Sequence, residues 1–453
     1  MKQVHSVDQL HIKVEEGELL NLKTIFPTLD DIKKMNIHIE DYLSQNSGKT
    51  AVYGGTAIEA LLGTKGQTEK VIDYDFYTPE YTKVSVEVAN LLFDKGYKYV
   101  RRINAINPDT FRVGAEFAKE FIADITFMPS KAFKGIPKIK IDGIDYISPQ
   151  FLKIDLYKSI TRPNTNVYRW KKSYTRLEAI EEKFPLPKPK KTPAFPKGMS
   201  SKLMKKIKDH IAKRHLIPTG TEAYNYYTSV ARQSVAMPVE VLEYYATGAN
   251  SEARKLVRTL GKGYTITKYY PFLNIIPRKS VVFHKEIPIV IFYEIGFDCI
   301  GKGIDNYINF HCLLCFLYAK YNIAVINKDT NAQAVYSLQI NNLQEASRDY
   351  NKKNKLTGFE ATNPFRIFQT DCLTADTGGM VIAAAKRLFY GLPQPKGYKP
   401  EKEYINPKDI KEKYHNNYLS EQITTEDTLH SLEPEILDTV SDEILRTIAM
   451  KED

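Results

Sequence analysis

Cysteine and tryptophan are scarce in this chain, and long hydrophobic runs are missing from it. Its 453 residues include four Cys and one Trp. So few Cys cannot form a disulfide framework in a chain of this length, which favours a reducing compartment. The N-terminal residues mix charges throughout, and no stretch approaches the ~18 apolar residues that span a bilayer. We therefore expect a soluble, cytoplasmic protein that does not enter membranes.

Charge is distributed unevenly along the chain. The formal net charge is +10, yet residues 415–453 hold ten Asp or Glu against two Lys or Arg. The preceding residues therefore form a strongly basic body that attracts polyanions, and nucleic acid is the obvious candidate. A basic soluble protein without a polyanionic partner is the alternative that charge alone leaves open.

Hydrophobic periodicity and proline content divide the chain into segments. Runs of strand-like and helical pattern alternate in two regions, which predicts two α/β domains with a mixed sheet in the first. Five prolines between Phe184 and Gly198 exclude a regular element there and stiffen the segment. The predicted parts are a helical lead-in, a first α/β domain, a basic connector or arm, a second α/β domain and an acidic tail, at residues 1–46, 47–183, 184–214, 215–414 and 415–453.

Local patterns predict individual elements. In the first region, strands are predicted at GKTAVYGG, EKVIDYDFYT, YKYVRRINA, TFRVGAEF and FIADITFMP. In the second region, residues 219–260 are predicted to be helical, and YINFHCLLCFLYAKY is predicted to be a buried helix. The strands predicted in the second region are YPFLNIIP, KSVVFHKE and IPIVIFYEIG.

Three features that carry chemistry follow one another in the first region. The residues Gly54–Thr56 end a predicted strand and start a helix, and Asp73 and Asp75 lie on one face of the next strand. Asp124 lies in the apolar strand FIADITF, where an unpaired carboxylate is costly to bury. Each feature alone is weak evidence, and their common order and strand placement make the pattern specific.

The spacing of these residues suits a site for divalent cations. Residues two apart on a strand project to the same face of the sheet. Two ionised carboxylates cannot lie there side by side without a cation between them. Mg²⁺ and Mn²⁺ take oxygen ligands, and a third carboxylate on a neighbouring strand is enough to hold two ions. The sequence therefore predicts a two-metal site formed by Asp73, Asp75 and Asp124.

These features resemble the DNA polymerase β-like nucleotidyltransferase superfamily. Its pattern is a Gly-Gly or Gly-Ser turn, then Asp-x-Asp, then a third Asp on a later strand, and all three parts are present here. The chain departs from the usual pattern in one respect, because seventeen residues separate Gly55 from Asp73. That spacing requires an inserted loop near Gly63 to Lys70.

Within the superfamily, the chain resembles the poly(A) polymerase catalytic subunits of large cytoplasmic DNA viruses (poxviruses, African swine fever virus and giant viruses). The resemblance is carried by VYGGTAIEALLG, IDYDFYT, FIADITFMP, ISPQFLKIDLYKSITRPN and YRWKKSYTRL, within residues 48–180. It implies a catalytic domain followed by a degenerate nucleotidyltransferase-like domain. It also implies an enzyme of the cytoplasmic virus factory or the virion that adds AMP from ATP to RNA 3′ ends, using two Mg²⁺ or Mn²⁺ ions.

Several residues are candidates for binding the nucleotide. A double glycine before a helix lets the backbone N–H groups of Gly54, Gly55 and Thr56 approach the β- and γ-phosphates. Lys153 and Lys158 lie on the predicted helix that starts at Pro149. We predict that one of them reaches the triphosphate and prefer Lys158, with a solvated helix face as the alternative for either.

Two segments are candidates for binding RNA. Between Arg169 and Arg176, cations alternate with rings, which suits a single strand because cations follow the phosphates and rings stack on bases. Trp170 is equally compatible with core packing. The basic run from Lys188 to Arg214 is predicted to follow the RNA, with a solvated face as the alternative. The predicted RNA contacts are Lys171, Lys172, Arg176, Lys190 and Lys205.

Other functions and partner arrangements remain open at this point. CCA-adding enzymes and oligoadenylate synthases share the three carboxylates, and a catalytically inactive RNA-binding subunit is the alternative from a different class. The three intact Asp residues disfavour the inactive subunit. Poxvirus relatives work with a separate processivity subunit, whereas giant-virus relatives resemble homodimers. We expect a homodimer because this chain carries its own basic arm.

One motif does not support a metal site. Cys312 and Cys315, beside His311, have the spacing of half a zinc site. A structural zinc ion takes four ligands, and the sequence has no second pair because Cys299 and Cys372 stand alone. We interpret Cys312 and Cys315 as core residues.

Overall fold

The computed structural model divides into two compact units, formed by residues 1–133 with 138–147 and by residues 134–137 with 148–453. The described residues are 29–65, 73–105, 109–115, 121–161, 169–195, 198–214, 216–269, 271–273, 275–295, 300–301, 303–356, 360 and 362–367. The acidic tail, most of the inserted loop, Cys299 and Cys372 lie outside them. Among the helices of the described residues, none combines the length and apolar character needed to cross a bilayer.

The first unit is built on short strands and three longer helices. Its helices are α1 (Leu29–Gln45), α2 (Gly54–Leu62) and α3 (Tyr81–Asp94), followed by the short α4 (Ser130–Gly135). Its strands are β1 (Ala51–Tyr53), β2 (Tyr74–Thr78), β3 (Arg101–Asn104), β4 (Thr110–Gly114), β5 (Ala123–Phe127), β6 (Lys138–Ile141) and β7 (Ile144–Ile147). The five predicted strands of this region correspond to β1–β5 and are confirmed. The β6–β7 hairpin has no counterpart among the predicted elements.

The strands of the first unit form one mixed sheet in the order β3-β4-β5-β2-β1-β7-β6. Strand β2 runs parallel to β5 and antiparallel to β1, and β5 also pairs antiparallel with β4. Tyr74 and Phe76 point to one face of the sheet and are fully buried, whereas Asp75 between them points to the other. The alternation in the sequence therefore reflects one apolar face and one polar face.

Helices cover the apolar face. The ring of Tyr81 on α3 packs against Phe111 and Phe127, with centroid distances of 5.2 and 5.5 Å. Val88 and Leu92 of the same helix are fully buried, and α1 packs on α3 and β7. Each such side chain contributes roughly 1.5–3 kcal/mol by leaving water. This packing fixes the direction in which the polar side chains of the opposite face project.

The second unit contains the remaining elements. Its helices are α5 (Pro149–Ile160), α6 (Trp170–Lys183), α7 (Ser201–Ile211), α8 (Gly220–Val230), α9 (Ala249–Leu260), α10 (Phe310–Ile326) and α11 (Thr330–Asn354). Its strands are β8 (Ile217–Thr219), β9 (Leu242–Ala246), β10 (Tyr264–Tyr269), β11 (Lys279–His284) and β12 (Ile287–Glu294). The predicted buried helix α10 and the predicted strands β11 and β12 are confirmed.

Two predictions in this unit are wrong. Residues 242–246, which are predicted to be helical, form strand β9, because pairing on both sides and complete burial override the helix propensity of Leu, Glu and Ala. In the described part of the segment YPFLNIIP, Phe272 and Ile276 form an isolated bridge instead of the predicted strand. Pro271 and Pro277 lack the N–H groups that a ladder requires.

The second sheet repeats the frame of the first. Its order is β10-β11-β12-β9-β8, and β9 runs parallel to β12 and antiparallel to β8, as β2 runs relative to β5 and β1. The outer strands are antiparallel in both sheets. Strands β1 and β8, which pair antiparallel with β2 and β9, are each followed directly by a glycine with positive φ that starts a helix. The φ angle is 70° at Gly54 and 61° at Gly220.

The proline-rich connector lies along helix α11. Asn341 Nδ2 donates to the carbonyl of Leu186 at 3.3 Å, and the Leu186 side chain is buried. Ala194 and Asn331 exchange two hydrogen bonds, both at 3.0 Å. Residues 184–195 are therefore attached to the second unit along their length, as an extended segment without regular structure.

Candidate active site

Two of the predicted carboxylates are neighbours in the sheet. Asp75 on β2 and Asp124 on β5 are register partners on parallel strands. Adjacent strands lie ~4.8 Å apart, and partners in register point to the same face. Asp73 is exposed and directly precedes β2, two residues before Asp75. The structure thus places Asp75 and Asp124 side by side on the polar face of the first sheet, and Asp73 is near enough to Asp124 to influence its pKa.

Arg112 provides a counter-charge for Asp124. The two residues are register partners on β4 and β5, and Arg112 Nε donates to Asp124 Oδ1 at 2.8 Å. Burial raises the pKa of Asp124, Arg112 opposes this rise, and the negative charge of Asp73 adds to it. Within the described residues, no three His, Cys, Asp or Glu side chains stand grouped to hold a metal ion. Asp124 is turned instead towards Arg112, a partner that sequence reasoning missed.

Gly54 lies directly against Asp75. Tyr53 is the register partner of Asp75, and the next residue starts helix α2 with φ of 70°. A Cβ atom at Gly54 would lie 2.4 Å from Asp75 Oδ2. Glycine alone combines this conformation with this close approach. The first turn of α2 therefore presents its backbone N–H groups beside the carboxylates, where an anion would be stabilised.

Thr56 fixes the segment that carries Asp73. Its hydroxyl donates to the backbone carbonyl of Asp73 at 2.7 Å, and the residue is 5% exposed. The hydroxyl of Thr56 is therefore already engaged, and the contact predicted between Thr56 and a phosphate would be made by its backbone N–H group. This bond also ties Asp73 to α2 across the inserted loop.

Hydroxyl groups continue the polar face beyond the carboxylates. Tyr53 Oη lies 2.9 Å from Thr126 Oγ1, which lies 2.9 Å from Thr110 Oγ1. The ring of Tyr53 stacks on that of Tyr77 at a centroid distance of 4.0 Å. The positions of Thr126 and Tyr77 on this face could be predicted from the sequence, since each lies two residues beyond a predicted catalytic Asp on the same strand. Tyr53 and Thr110 become neighbours of that face only through strand pairing.

The two candidate lysines of α5 differ in their surroundings. Lys153 is fully buried, its Nζ donates to the carbonyl of Phe184 at 2.8 Å, and burial lowers its pKa to about 8. This lysine therefore has a role inside the second unit. Lys158 lies in the last turn of the same helix and is half-buried. Its contact with a triphosphate stays a prediction.

The predicted RNA contacts lie in the second unit. Trp170 is fully buried and its Nε1 donates to the carbonyl of Ser159 at 3.1 Å, so this residue packs in the core. Arg176 is half-buried, and the other four predicted contacts are exposed lysines. These four are Lys171, Lys172, Lys190 and Lys205. Exposure leaves them able to meet phosphates, and their contact with RNA stays a prediction.

The cysteine pair lies inside helix α10. Cys312 is buried, and the Cys315 thiol faces the carbonyl of Ile154 at 3.6 Å. His311 is also buried, its Nδ1 lies 3.0 Å from the carbonyl of Arg366, and burial lowers its pKa to about 4. These surroundings support the interpretation of both cysteines as core residues.

The equivalent position of the second sheet also holds a carboxylate. Glu243 of β9 faces the turn at Gly220, where a Cβ atom would lie 2.2 Å from Glu243 Oε1. The place of Asp124 is taken by Ile291, the register partner of Glu243 on β12. Lys320 of α10 forms an ion pair with Glu243. Here a single carboxylate, Glu243, is paired with the ammonium group of Lys320. The strand pairing and the glycine turn match those of the first sheet, but the group of three Asp residues is not repeated.

Known sequences match the part of the chain that holds the carboxylates. Residues 37–166 match the family model described as poly(A) polymerase catalytic subunit. A protein of Acanthamoeba polyphaga mimivirus, provisionally named poly(A) polymerase catalytic subunit, is 24% identical over 414 residues, which cover 79% of this chain and 70% of that protein. A protein of African swine fever virus with the same provisional name is 32% identical over 149 residues, covering 31% of each chain.

A solved structure matches most of the chain. The crystal structure of the Megavirus polyadenylate synthase superposes with a TM-score of 0.68 at 21% identity, covering 87% of this chain and 86% of that one. This likeness establishes the fold. The predicted fold class, with a second sheet domain after the first, and the predicted resemblance to viral poly(A) polymerase catalytic subunits are thereby confirmed.

Proposed function

We propose that this chain, with its match to the poly(A) polymerase catalytic subunit family over residues 37–166, is a polynucleotide adenylyltransferase. It transfers AMP from ATP to the 3′-hydroxyl of RNA without a template. The observation that carries the proposal is the register of Asp75 with Asp124 beside the turn at Gly54. The names of the mimivirus, African swine fever virus and Megavirus proteins support the same activity.

The donor set fits hard divalent cations. Asp73, Asp75 and Asp124 supply oxygen ligands from one face of the sheet, which is the chemistry that Mg²⁺ or Mn²⁺ prefers. Arg112 neutralises Asp124 now, and rotation of the Asp124 side chain away from Arg112 frees its oxygen atoms for a cation. When bound, two such ions lower the pKa of the attacking hydroxyl and stabilise the charge on the leaving group.

The residues of the chain position the substrates for an in-line displacement. The bond between the RNA 3′-oxygen and the α-phosphorus forms, the bond to pyrophosphate breaks, and the hydroxyl proton leaves to solvent. The first turn of α2, from Gly54 to Thr56, binds the β- and γ-phosphates through its N–H groups. Lys158 binds the triphosphate, and Thr56 keeps Asp73 in place. Orientation of both substrates supplies much of the rate.

RNA and a partner subunit complete the proposal. Lys171, Lys172 and Arg176 on α6, with Lys190 and Lys205, contact the RNA. A second copy of the chain supplies processivity in a homodimer, or a separate subunit does so. The enzyme acts in the cytoplasmic virus factory or in the virion. Sedimentation of the purified protein alone distinguishes a homodimer from a monomer that requires another subunit.

The proposed activity predicts a specific product. We expect the purified protein to extend a labelled oligoribonucleotide with ATP and not with CTP, GTP or UTP, in the presence of Mg²⁺ or Mn²⁺. The product should be a homopolymer of A joined through 3′ linkages. Gel analysis of reactions with each nucleotide in turn, with EDTA as the control for metal dependence, measures this.

Other products identify the competing functions. A short CCA end would indicate a CCA-adding enzyme, and 2′-linked oligomers made without an RNA primer would indicate an oligoadenylate synthase. Folded protein that binds RNA and incorporates no nucleotide would indicate an inactive RNA-binding subunit.

Substituting Gly54 tests the close approach at the turn. Gly54→Ala places a methyl group within 2.4 Å of Asp75 Oδ2, so the carboxylate must move, and a displacement of that size lowers kcat by about 100-fold. The positive φ adds about 1 kcal/mol of strain. Primer extension at saturating ATP and thermal denaturation separate the two effects.

Gly63 offers a matched control for this substitution. It has φ of 77° at the end of the same helix, and a Cβ atom there would meet nothing within 4 Å. We expect Gly63→Ala to lose similar stability and to retain activity. Equal losses of activity in the two variants would show that backbone strain, not the contact with Asp75, matters at Gly54.

A further inference from the structure

Helices α7 and α9 of the second unit pack together on one hydrophobic core. Both contribute buried side chains to a single hydrophobic cluster, among them Ile207 and Leu256. Lys206 Nζ donates to the carbonyl of Leu260 at 3.3 Å, which ties the two helices together. Their apolar sides face this shared core, so their opposite sides face solvent as one continuous surface.

That surface is strongly basic. Residues 201–214 and 249–268 contain eleven Lys or Arg and two carboxylates, Asp209 and Glu252. Glu252 is already balanced by Arg214 and Lys255, each at 2.8 Å. Lys206, Lys208 and Lys255 are exposed cations that contact other groups of this unit. Six more exposed cations are spread across both helices and the residues that follow each of them, namely Lys202, Lys205, Lys213, Arg254, Arg258 and Lys262.

The α7 side of this surface can be predicted from the sequence, whereas the α9 side cannot. The run that ends at Arg214 is conspicuous because its lysines lie close together along the chain. The cations of α9 are separated from that run by strand β9 and helix α8, and they alternate with apolar residues. They join the basic surface through helix packing, which the linear sequence does not display.

The chemistry of the surface selects a phosphate chain. The large hydrophobic residues exposed in the described part of the chain all lie outside α7 and α9. A membrane-binding helix requires apolar side chains that enter the lipid, and a surface that stacks on bases requires exposed rings. Cations without either feature interact with phosphates irrespective of base identity.

We propose that α7 and α9 together bind the phosphate backbone of RNA upstream of its 3′ end, independently of base sequence. This inference rests on the proposed function, since it assigns the surface to the RNA substrate of the same enzyme. It adds Arg254, Arg258 and Lys262 to the residues that contact RNA. Binding by charge alone suits an enzyme whose upstream RNA varies in sequence before the tail begins.

Removing the three cations of the α9 side tests the proposal. We expect Arg254→Gln/Arg258→Gln/Lys262→Gln to lower the affinity for single-stranded RNA of about 30 nucleotides by tenfold or more at low salt. The slope of log affinity against log salt concentration should fall by about 2, because a single strand releases roughly 0.7 counterion per neutralised phosphate. The loss should be equal for oligo(A) and oligo(U). Fluorescence anisotropy without ATP or divalent metal measures this on the full chain.

A variant of equal charge provides the control. Lys352→Gln/Lys353→Gln/Lys355→Gln removes three exposed lysines at the end of α11 in the same unit. We expect it to retain the wild-type affinity and slope. Equal affinities for the two triple variants, with unchanged circular dichroism, would overturn the proposal. So would binding of the wild type to anionic phospholipid vesicles in preference to RNA. Because binding is measured without catalysis, RNA binding by a protein that adds no AMP would contradict the proposed function alone.

Discussion

Replacing Asp73 by alanine is expected to lower the rate of AMP incorporation by about three orders of magnitude or more. Asp73 is one of the carboxylates proposed to hold both ions, and metal ligation supplies several kcal/mol of transition-state stabilisation. A loss of ~4 kcal/mol corresponds to about a thousandfold in rate. Primer extension at saturating ATP, RNA and Mg²⁺ measures the effect.

The fold should tolerate this substitution. Asp73 is exposed, and its negative charge helps to raise the pKa of the neighbouring Asp124. Removing it therefore relieves repulsion and leaves no buried group without a partner. We expect the melting temperature to stay the same or rise slightly, and RNA affinity to change much less than activity.

Another exposed aspartate of the first unit serves as the control. Asp94 ends helix α3, and we expect Asp94→Ala to keep the wild-type rate. Wild-type activity in Asp73→Ala would remove the basis of the two-metal mechanism. A parallel loss of RNA affinity and activity would instead point to a general structural defect.

The residues of the catalytic face could be predicted where they follow strand periodicity. Asp75 alternates with the buried residues Tyr74 and Phe76, and Asp124 stands between the buried Ala123 and Ile125. Alternation of this kind is visible in the sequence because one face of each strand must be apolar. The same reasoning predicts strands β1–β5 of the first sheet, but not the β6–β7 hairpin.

Partners across strands could not be predicted in this way. The pairing of Arg112 with Asp124 depends on the register between β4 and β5, which no local pattern specifies. The sequence predicts a helix where strand β9 lies, because LEYYA has no polar face, and all five of its residues are buried. A strand buried on both faces loses the alternation by which it would be identified.

The position in the second sheet where Glu243 faces Gly220 could not be predicted from the sequence for a related reason. A single glycine followed by a distant glutamate forms no motif, so Gly220 and Glu243 carry no signal in the sequence. In the structure they repeat the close approach between Gly54 and Asp75. A Cβ atom added at Gly220 would lie 2.2 Å from Glu243 Oε1, and one added at Gly54 would lie 2.4 Å from Asp75 Oδ2. The two sheets thus share one backbone frame, and the acidic cluster distinguishes the first from the second.

The two sheets differ in how their carboxylate is balanced. In the first, the acidic face is proposed to bind divalent ions, with Arg112 as a partner for one carboxylate. In the second, Lys320 supplies a cation that belongs to the chain itself. Burial lowers the pKa of Lys320, but Glu243 more than offsets this effect, and the pKa is raised overall. Lys320 therefore keeps its positive charge at neutral pH.

Replacing Lys320 by methionine is accordingly expected to lower the free energy of unfolding by about 3 kcal/mol. Glu243 is 8% exposed and would be left as a buried carboxylate without its cation. The hydroxyl of Tyr293, which donates to Glu243 at 2.7 Å, cannot neutralise it. Denaturant unfolding followed by circular dichroism measures the shift in midpoint.

Two further variants decide whether the charge imbalance is the cause. Lys188→Met breaks an ion pair with Glu345 in which the side chains are 64% and 39% exposed, and it should cost less than ~1 kcal/mol. Lys320→Met/Glu243→Gln leaves no buried charge and should recover much of the lost stability. If Lys320→Met cost no more than Lys188→Met, or if the double variant were no more stable than Lys320→Met, the ammonium group would not be the element that balances Glu243.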